Sequence, residues 1–170
     1  MQYTNYFDSP IGNLLLAADD VGLTGLWFDG SKYHADCLDS EQEERDTPIL
    51  EQAKEWLTIY FSGREPRFLP PIHMMGTPFQ LDVWTILQEI PYGKTTTYGQ
   101  IAKEIARQKG IPRMAAQAIG GAVGRNNISI IIPCHRVVGA KGNLTGYGGG
   151  LDKKTALLAL EKIDIRQLTD

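Results

Sequence analysis

Apolar residues in the first fifty positions come in short blocks with strand spacing. Leu14 to Ala18 and Leu23 to Phe28 flank Asp19-Asp20-Val21-Gly22, which reads as a hairpin turn between two strands. From Lys32 to Asp46 the pattern turns polar, with Glu41, Glu43 and Glu44, and predicts an exposed acidic loop. The period then becomes helical. After Thr47 as N-cap and Pro48 at the first helical position, Ile49, Leu50, Ala53, Trp56, Leu57, Tyr60 and Phe61 recur at three- and four-residue spacing until Ser62-Gly63. Pro66, Pro70 and Pro71 interrupt any regular element between Gly63 and Gly76, which places a domain boundary between 1–76 and 77–170.

Thr77-Pro78 repeats the cap, and Phe79, Val83, Trp84, Leu87 and Ile90 lie along one helical face up to Pro91. Thr97-Tyr98-Gly99-Gln100 has the form of a capping box, followed by the buried stripe Ile101, Ala102, Ile105 and Ala106. Gly110-Ile111-Pro112 breaks the chain, and Arg113 to Val123 predicts the next helix. A helix-turn-helix and an ordinary helix pair both fit that arrangement. Ala115, Ala116, Ala118, Gly120 and Gly121 fill a core poorly but permit close backbone approach to a ligand. Ile128 to Ile132 reads as a strand-like stretch that Pro133 ends, and Asp152 to Lys162 as a helix capped by Asp152. The predicted fold is an α/β N-terminal module, a small antiparallel sheet plus a helix, followed by a mostly helical domain.

Charge changes this picture by dividing it. The net charge of -3 over 170 residues averages an acidic 1–76, with 5 Lys+Arg against 13 Asp+Glu, and a basic 77–170, with 12 against 7. Within 93–142, Lys94, Lys103, Arg107, Lys109, Arg113, Arg125, Arg136 and Lys141 face Glu104 alone. That is either a solvated basic face or the patch that phosphate neutralisation needs. The start lacks a signal-peptide pattern, and no apolar run approaches the roughly 20 residues that cross a bilayer, so a soluble cytoplasmic protein is expected. With only two cysteines, far apart in sequence, no disulfide framework is expected. His34, Cys37 and His73 supply no recognisable ligand set, so no metal is expected. Gly146 to Gly150 is glycine-rich without the lysine of a P-loop, and no cofactor is expected.

One residue carries the chemistry. Cys134 follows Pro133 and stands beside His135 and Arg136, where an imidazole and a cation could lower its pKa and make it a nucleophile. After four isoleucines in five positions it also fits a core cysteine.

Pro133-Cys134-His135-Arg136-Val137 resembles the signature of the methylated-DNA-protein-cysteine methyltransferases. The resemblance runs from Thr77 to Glu161, through Thr77-Pro78-Phe79-Gln80, Pro91-Tyr92-Gly93, Tyr98-Gly99-Gln100-Ile101-Ala102, Ala118-Ile119-Gly120-Gly121-Ala122 and Leu144-Thr145-Gly146-Tyr147. It implies a ribonuclease H-like fold for 1–76, and a DNA-binding and alkyl-acceptor domain with a helix-turn-helix for 77–170. The implied reaction transfers an alkyl group from guanine O6, and from thymine O4, to Cys134, once per protein and irreversibly, after base flipping. The implied partner is double-stranded DNA carrying alkylated guanine, bound by a monomer.

The resemblance assigns His135 as base, Glu161 as its support, Asn126 as the brace of the cysteine loop and Tyr98 as the residue that aids base extrusion and the leaving guanine. Pro133, Tyr147, Gly148, Gly149 and Lys154 would surround the substrate, and Ala116, Gln117, Arg113, Arg125 and Arg136 would face DNA. There is one departure. The family usually places an arginine in the duplex where the flipped base was, and the matching position here is Gln117. Three rivals share parts of the pattern: a lesion-binding alkyltransferase-like protein, which lacks the cysteine; a multiple-turnover cysteine hydrolase using Cys134, His135 and Glu161; and a helix-turn-helix transcription factor.

Overall fold

The computed structural model describes residues 1–31, 38, 40–142, 144 and 150–164. Its contacts divide the chain into two units, Met1–Met75 with Asn127–Ser129, and Gly76–Asn126 with Ile130–Asp170.

The first unit is built on strands β1 (Gln2–Ser9), β2 (Gly12–Ala18), β3 (Leu23–Phe28) and β4 (Gln42–Glu44), in the order β3-β2-β1-β4. β2 and β3 form the expected hairpin, in which Asp19 Oδ1 accepts the amides of Val21 and Gly22 at 2.9 and 3.0 Å. Alternation sorts the side chains. Phe7 lies opposite Leu14 and stacks on Phe61 of helix α1 (Pro48–Phe61), so the Leu14 and Leu16 face meets the helix. Leu15, Ala17 and Trp27 cluster with Leu38 on the other face.

The sheet departs from the sequence reading in being mixed rather than wholly antiparallel. β4, within the acidic stretch expected to be a loop, pairs parallel with β1 while its three residues stay exposed. The outer edge of β3 is covered by two irregular segments that accept and donate main-chain bonds, at Leu23 with Pro71 and His73 and at Leu26 with Asn127 and Ser129. His73, which the sequence left without a role, meets Asp19 at 2.6 Å. Gly22 leaves room for this edge, since a Cβ there would come within 2.8 to 2.9 Å of the Ile72 and His73 backbone.

The second unit contains α2 (Pro78–Gln88), β5 (Thr96–Thr97), α3 (Tyr98–Lys109), α4 (Ala116–Gly124), β6 (Val137–Val138) and α5 (Leu151–Leu160), with a 3₁₀ turn at Cys134–Arg136. Thr77 and Thr97 both close reciprocal capping boxes with Gln80 and Gln100. Gly110, at φ 66°, ends α3 in the left-handed conformation that glycine adopts without penalty. Residues 110–115 join α3 to α4 as the turn of a helix-turn-helix. The Trp84 indole N–H donates to Ala122 O at 2.8 Å and ties α2 to α4.

Three local expectations fail for identifiable reasons. α4 starts at Ala116 rather than Arg113, and its N-cap Ala115 has no side-chain oxygen to hold an earlier turn. α5 is preceded by Gly150 at φ 101°, and Asp152 lies inside the first turn without capping it. The Ile128–Ile132 stretch is no strand: Ile128 makes a single bridge, and Ile130 turns the chain at φ 71°. A left-handed β-branched residue costs about 1–2 kcal/mol, which full burial of its side chain, worth about 1.5–3 kcal/mol, can offset. Among the described residues no helix is long and apolar enough to cross a membrane.

Because Thr97 Oγ1 accepts the Gln100 amide at 3.1 Å, Thr97→Ala is expected to lower unfolding stability by about 1 kcal/mol, read by chemical denaturation. A midpoint equal to that of the wild type would show that the Thr97 hydroxyl contributes nothing.

Candidate active site

The chain reaches Cys134 through a turn held from several sides. Pro133, at φ -83° and ψ 65°, is the centre of an inverse γ-turn in which the Cys134 amide donates to Ile132 O at 2.8 Å. Asn126 Nδ2 donates to the same carbonyl at 2.8 Å. On the far side, Val137 and Val138 pair in parallel with Thr96 and Thr97. The cysteine is thus delivered by a braced turn rather than by the end of a strand, and it is 6 % exposed.

Burial decides the protonation of the thiol. It pushes the Cys134 pKa up, against an Asn126 hydrogen bond, the Lys154 charge and the amides of Cys134 and His135, so Cys134 rests as a thiol. This corrects the expectation of a lowered pKa from the adjacent Arg136, whose guanidinium is directed elsewhere. Lys154 supplies the nearby cation instead. It is fully buried, it donates Nζ to Val137 O at 2.6 Å, and burial brings its ammonium down to about 8 while the Cys134 charge acts in the opposite direction. A surface role for Lys154 is therefore ruled out by its position.

His135 and Glu161 form a buried pair with His135 Nε2 2.6 Å from Glu161 Oε2. Glu161, the residue after α5, is 3 % exposed rather than solvated. Its other oxygen accepts the Gly93 amide at 3.0 Å and Arg136 Nε at 2.8 Å. Burial works to raise the Glu161 carboxyl, but the hydrogen bonds from His135 and Arg136 and the Arg136 charge outweigh it and hold it at about 2, with the His135 charge adding to this only once the imidazole is protonated. His135 moves the other way. Burial lowers its pKa more than Glu161 raises it, and the charges of Arg136 and Lys154 add to the lowering, so the imidazole rests neutral. An ionised Glu161 only accepts, so Nε2 carries the proton and Nδ1 the lone pair. The arrangement can take up a proton at Nδ1 and spread the resulting charge into a carboxylate already in place.

The residues expected to face DNA divide. Ala116, Gln117, Arg113 and Arg125 are exposed on α4 and its flanks. Arg136 is not. It is 7 % exposed, sends Nη1 to Ile90 O at 2.7 Å and lies over the Tyr92 ring at 5.7 Å, so its place among DNA contacts is withdrawn. Tyr98 opens α3 half-buried, its ring 4.0 Å from where a Gly120 Cβ would sit. A Cβ at Gly121 meets nothing within 4 Å. No internal contact therefore demands glycine at these helical positions, although each costs about 1 kcal/mol relative to alanine. A groove of about 650 Å³ runs beside α3 and includes Lys103, Arg107 and Arg113 in its lining. Arg107 is already bound to Glu104 through two bonds, at 2.9 and 2.6 Å.

Tyr147, Gly148 and Gly149 lie outside the described residues, as do Cys37 and His34. Among the described residues no three His, Cys, Asp or Glu side chains are grouped to hold a metal ion. The roles of Ile90, Gly93 and Arg136 around Glu161 were missed from sequence. Gly93, at φ 79°, is the one that left a signal, a glycine where the backbone needs a left-handed conformation.

Comparison with known proteins gives this geometry a context. The DNA-binding domain of 6-O-methylguanine DNA methyltransferase matches residues 78–163, and its ribonuclease-like domain matches residues 2–73. A methylated-DNA–protein-cysteine methyltransferase of Methanosarcina acetivorans is 46% identical over 159 residues, covering 94% of this chain and 97% of that protein. A namesake from Haemophilus influenzae is 41% identical over 95% of this chain and 87% of its own length. The crystal structure of Mycobacterium tuberculosis OGT in complex with DNA superposes with a TM-score of 0.81 at 40% identity, covering 98% of this chain and 95% of that one.

The depressed Glu161 value makes a pH prediction. A carboxyl held at about 2 when folded, against 4.5 ordinarily, stabilises the fold above 4.5 and loses that contribution as pH falls toward 2. Glu161→Gln is expected to unfold at a lower Tm than the wild type at neutral pH, with the gap closing as pH falls from about 5 toward 3. A gap that stays constant across that range contradicts it.

Proposed function

The chain belongs to the methylated-DNA–protein-cysteine methyltransferases, which repair alkylated DNA, and from that premise we propose that Cys134 is the residue that takes the alkyl group. The observation that carries this reading is the buried series Cys134, His135 and Glu161, the first two on a turn braced by Asn126 and the third at the end of α5.

The substrate is guanine alkylated at O6, and thymine at O4. His135 Nδ1 takes the Cys134 proton through a water as sulfur attacks. A carbon–sulfur bond forms, the bond from the alkyl carbon to O6 breaks, and guanine leaves with the electron pair. The Tyr98 hydroxyl supplies a proton to the departing base and is replenished from solvent, while the His135 proton returns to water. Glu161 stabilises the imidazolium meanwhile. The thioether has no leaving path, so each protein acts once. That separates this reading from a cysteine hydrolase, and the presence of Cys134 separates it from a lesion-binding protein that transfers nothing.

A resting thiol suits such a reaction. Deprotonation is coupled to attack, and a buried neutral sulfur is protected from other electrophiles until substrate arrives. Because Cys134 is only 6 % exposed, the target base must leave the stack to reach it. The Lys154 charge favours the developing thiolate, and Pro133 borders the base. On α4, Ala116, Gly120 and Gly121 let the backbone approach DNA, with Arg113 and Arg125 toward phosphates and Gln117 in the space the flipped base vacates.

Exposure to DNA containing O6-methylguanine should add the mass of one methyl group to the Cys134 peptide and to no other, and Cys134→Ser should accept none. Methylation mapped elsewhere would remove the assignment. Glutamine is a weaker wedge than arginine, being shorter and neutral, with fewer donors. Gln117→Arg is therefore expected to speed transfer from duplex DNA severalfold and leave transfer from the free alkylated base unchanged. Equal acceleration of both substrates, or of neither, would take Gln117 out of base flipping.

A further inference from the structure

Arg136 belongs to the motif that carries the cysteine, yet its guanidinium points inward. Nε meets Glu161 Oε1 at 2.8 Å, Nη1 meets Ile90 O at 2.7 Å, and the Tyr92 ring lies under its plane at 5.7 Å. Glu161 therefore has a different basic side chain on each oxygen, Arg136 on Oε1 and His135 on Oε2.

A histidine paired with a lone buried carboxylate tends to become an imidazolium, because the ion pair is favoured over two neutral groups in a low dielectric. That state is useless for a group that must accept a proton. A permanent cation on the second oxygen changes the balance. It neutralises the carboxylate before the imidazole does, and it repels a second positive charge nearby.

We propose that Arg136 is a positioning residue for alkyl transfer: by occupying Glu161 Oε1 it orients Oε2 toward His135 and keeps the imidazole unprotonated, ready for the Cys134 proton. This rests on Cys134, His135 and Glu161 being the reacting set. The charged groups that act on His135 are Glu161 at the end of α5, Arg136 on the same turn and Lys154 within α5, two cations against one anion. Burial and the two cations together outweigh the carboxylate, in the direction the proposal requires. Arginine fits better than lysine, because its planar fork reaches the carboxylate and the Ile90 carbonyl at once while its face covers Tyr92.

The test is single-turnover transfer from a free O6-alkylated guanine base, which needs no DNA binding, followed between about pH 5 and 9. In the wild type the acid limb, where rate falls as His135 protonates, is expected below the ordinary histidine value of about 6.5. R136Q should move that midpoint up by about one pH unit. R136K, which keeps the charge and loses the fork, should keep the midpoint and lower the plateau severalfold. A purely structural Arg136 would reduce R136Q equally at every pH with the midpoint fixed, and that result overturns the proposal. Should R136Q not fold, a wild-type midpoint at or above the ordinary value, or an R136K midpoint moved upward, overturns it as well. Transfer that persists in C134S, or an acid limb unchanged in H135Q, would instead overturn the underlying assignment of the reacting set.

Discussion

Glu161 carries a full negative charge at a position 3 % exposed, and three donors from two stretches of chain make that tolerable: the Gly93 amide after α2, and Arg136 Nε and His135 Nε2 on the cysteine turn. Removing a carboxylate from water costs several kcal/mol, which only close geometry on both oxygens repays. The same bonds fix the end of α5 against the loop after α2 and against the cysteine turn. The site's rigidity and its chemistry thus have one source. A group able to stabilise an imidazolium at the moment it forms must already be charged and in place, and an exposed glutamate would be neither as strong nor as fixed.

The resting states of Cys134 and His135 follow from the same burial. A dry environment raises the thiol and lowers the imidazole, so both rest neutral. Lys154 tempers this without reversing it. Its ammonium sits on the Val137 carbonyl and favours the thiolate by Coulomb attraction. An exposed, permanently ionised cysteine would react faster with any electrophile and would be consumed without repairing anything.

Much of this architecture was legible in the sequence because it is local. The caps at Thr47, Thr77 and Thr97, the hairpin at Asp19 to Gly22 and the helical stripes depend on residues within a few positions of one another. β1 escaped notice because Gln2 to Ser9 is largely polar and is held as a strand by its pairing with β2 and β4. β4 and the edge segments at 71–73 and 127–129 are likewise made by distant partners. The isoleucine run misled for the opposite reason. Its apolar pattern describes burial correctly, and Ile130 at φ 71° bends the buried chain in a way that no periodicity encodes. Arg136 was misplaced because a charged residue defaults to the surface, and only the buried carboxylate across from it overrides that rule.

The covering of β3 has a consequence for the making of the protein. Leu26 finds its main-chain partners at Asn127 and Ser129, far later in the chain. While the ribosome is still adding the intervening helices, the emerging sheet keeps part of one edge open, and an open edge invites pairing with other nascent chains. The first unit therefore closes only when the residues just before the cysteine have been synthesised. A chain stopped before Ser129 lacks the partners of Leu26, and its sheet keeps that part of the edge exposed.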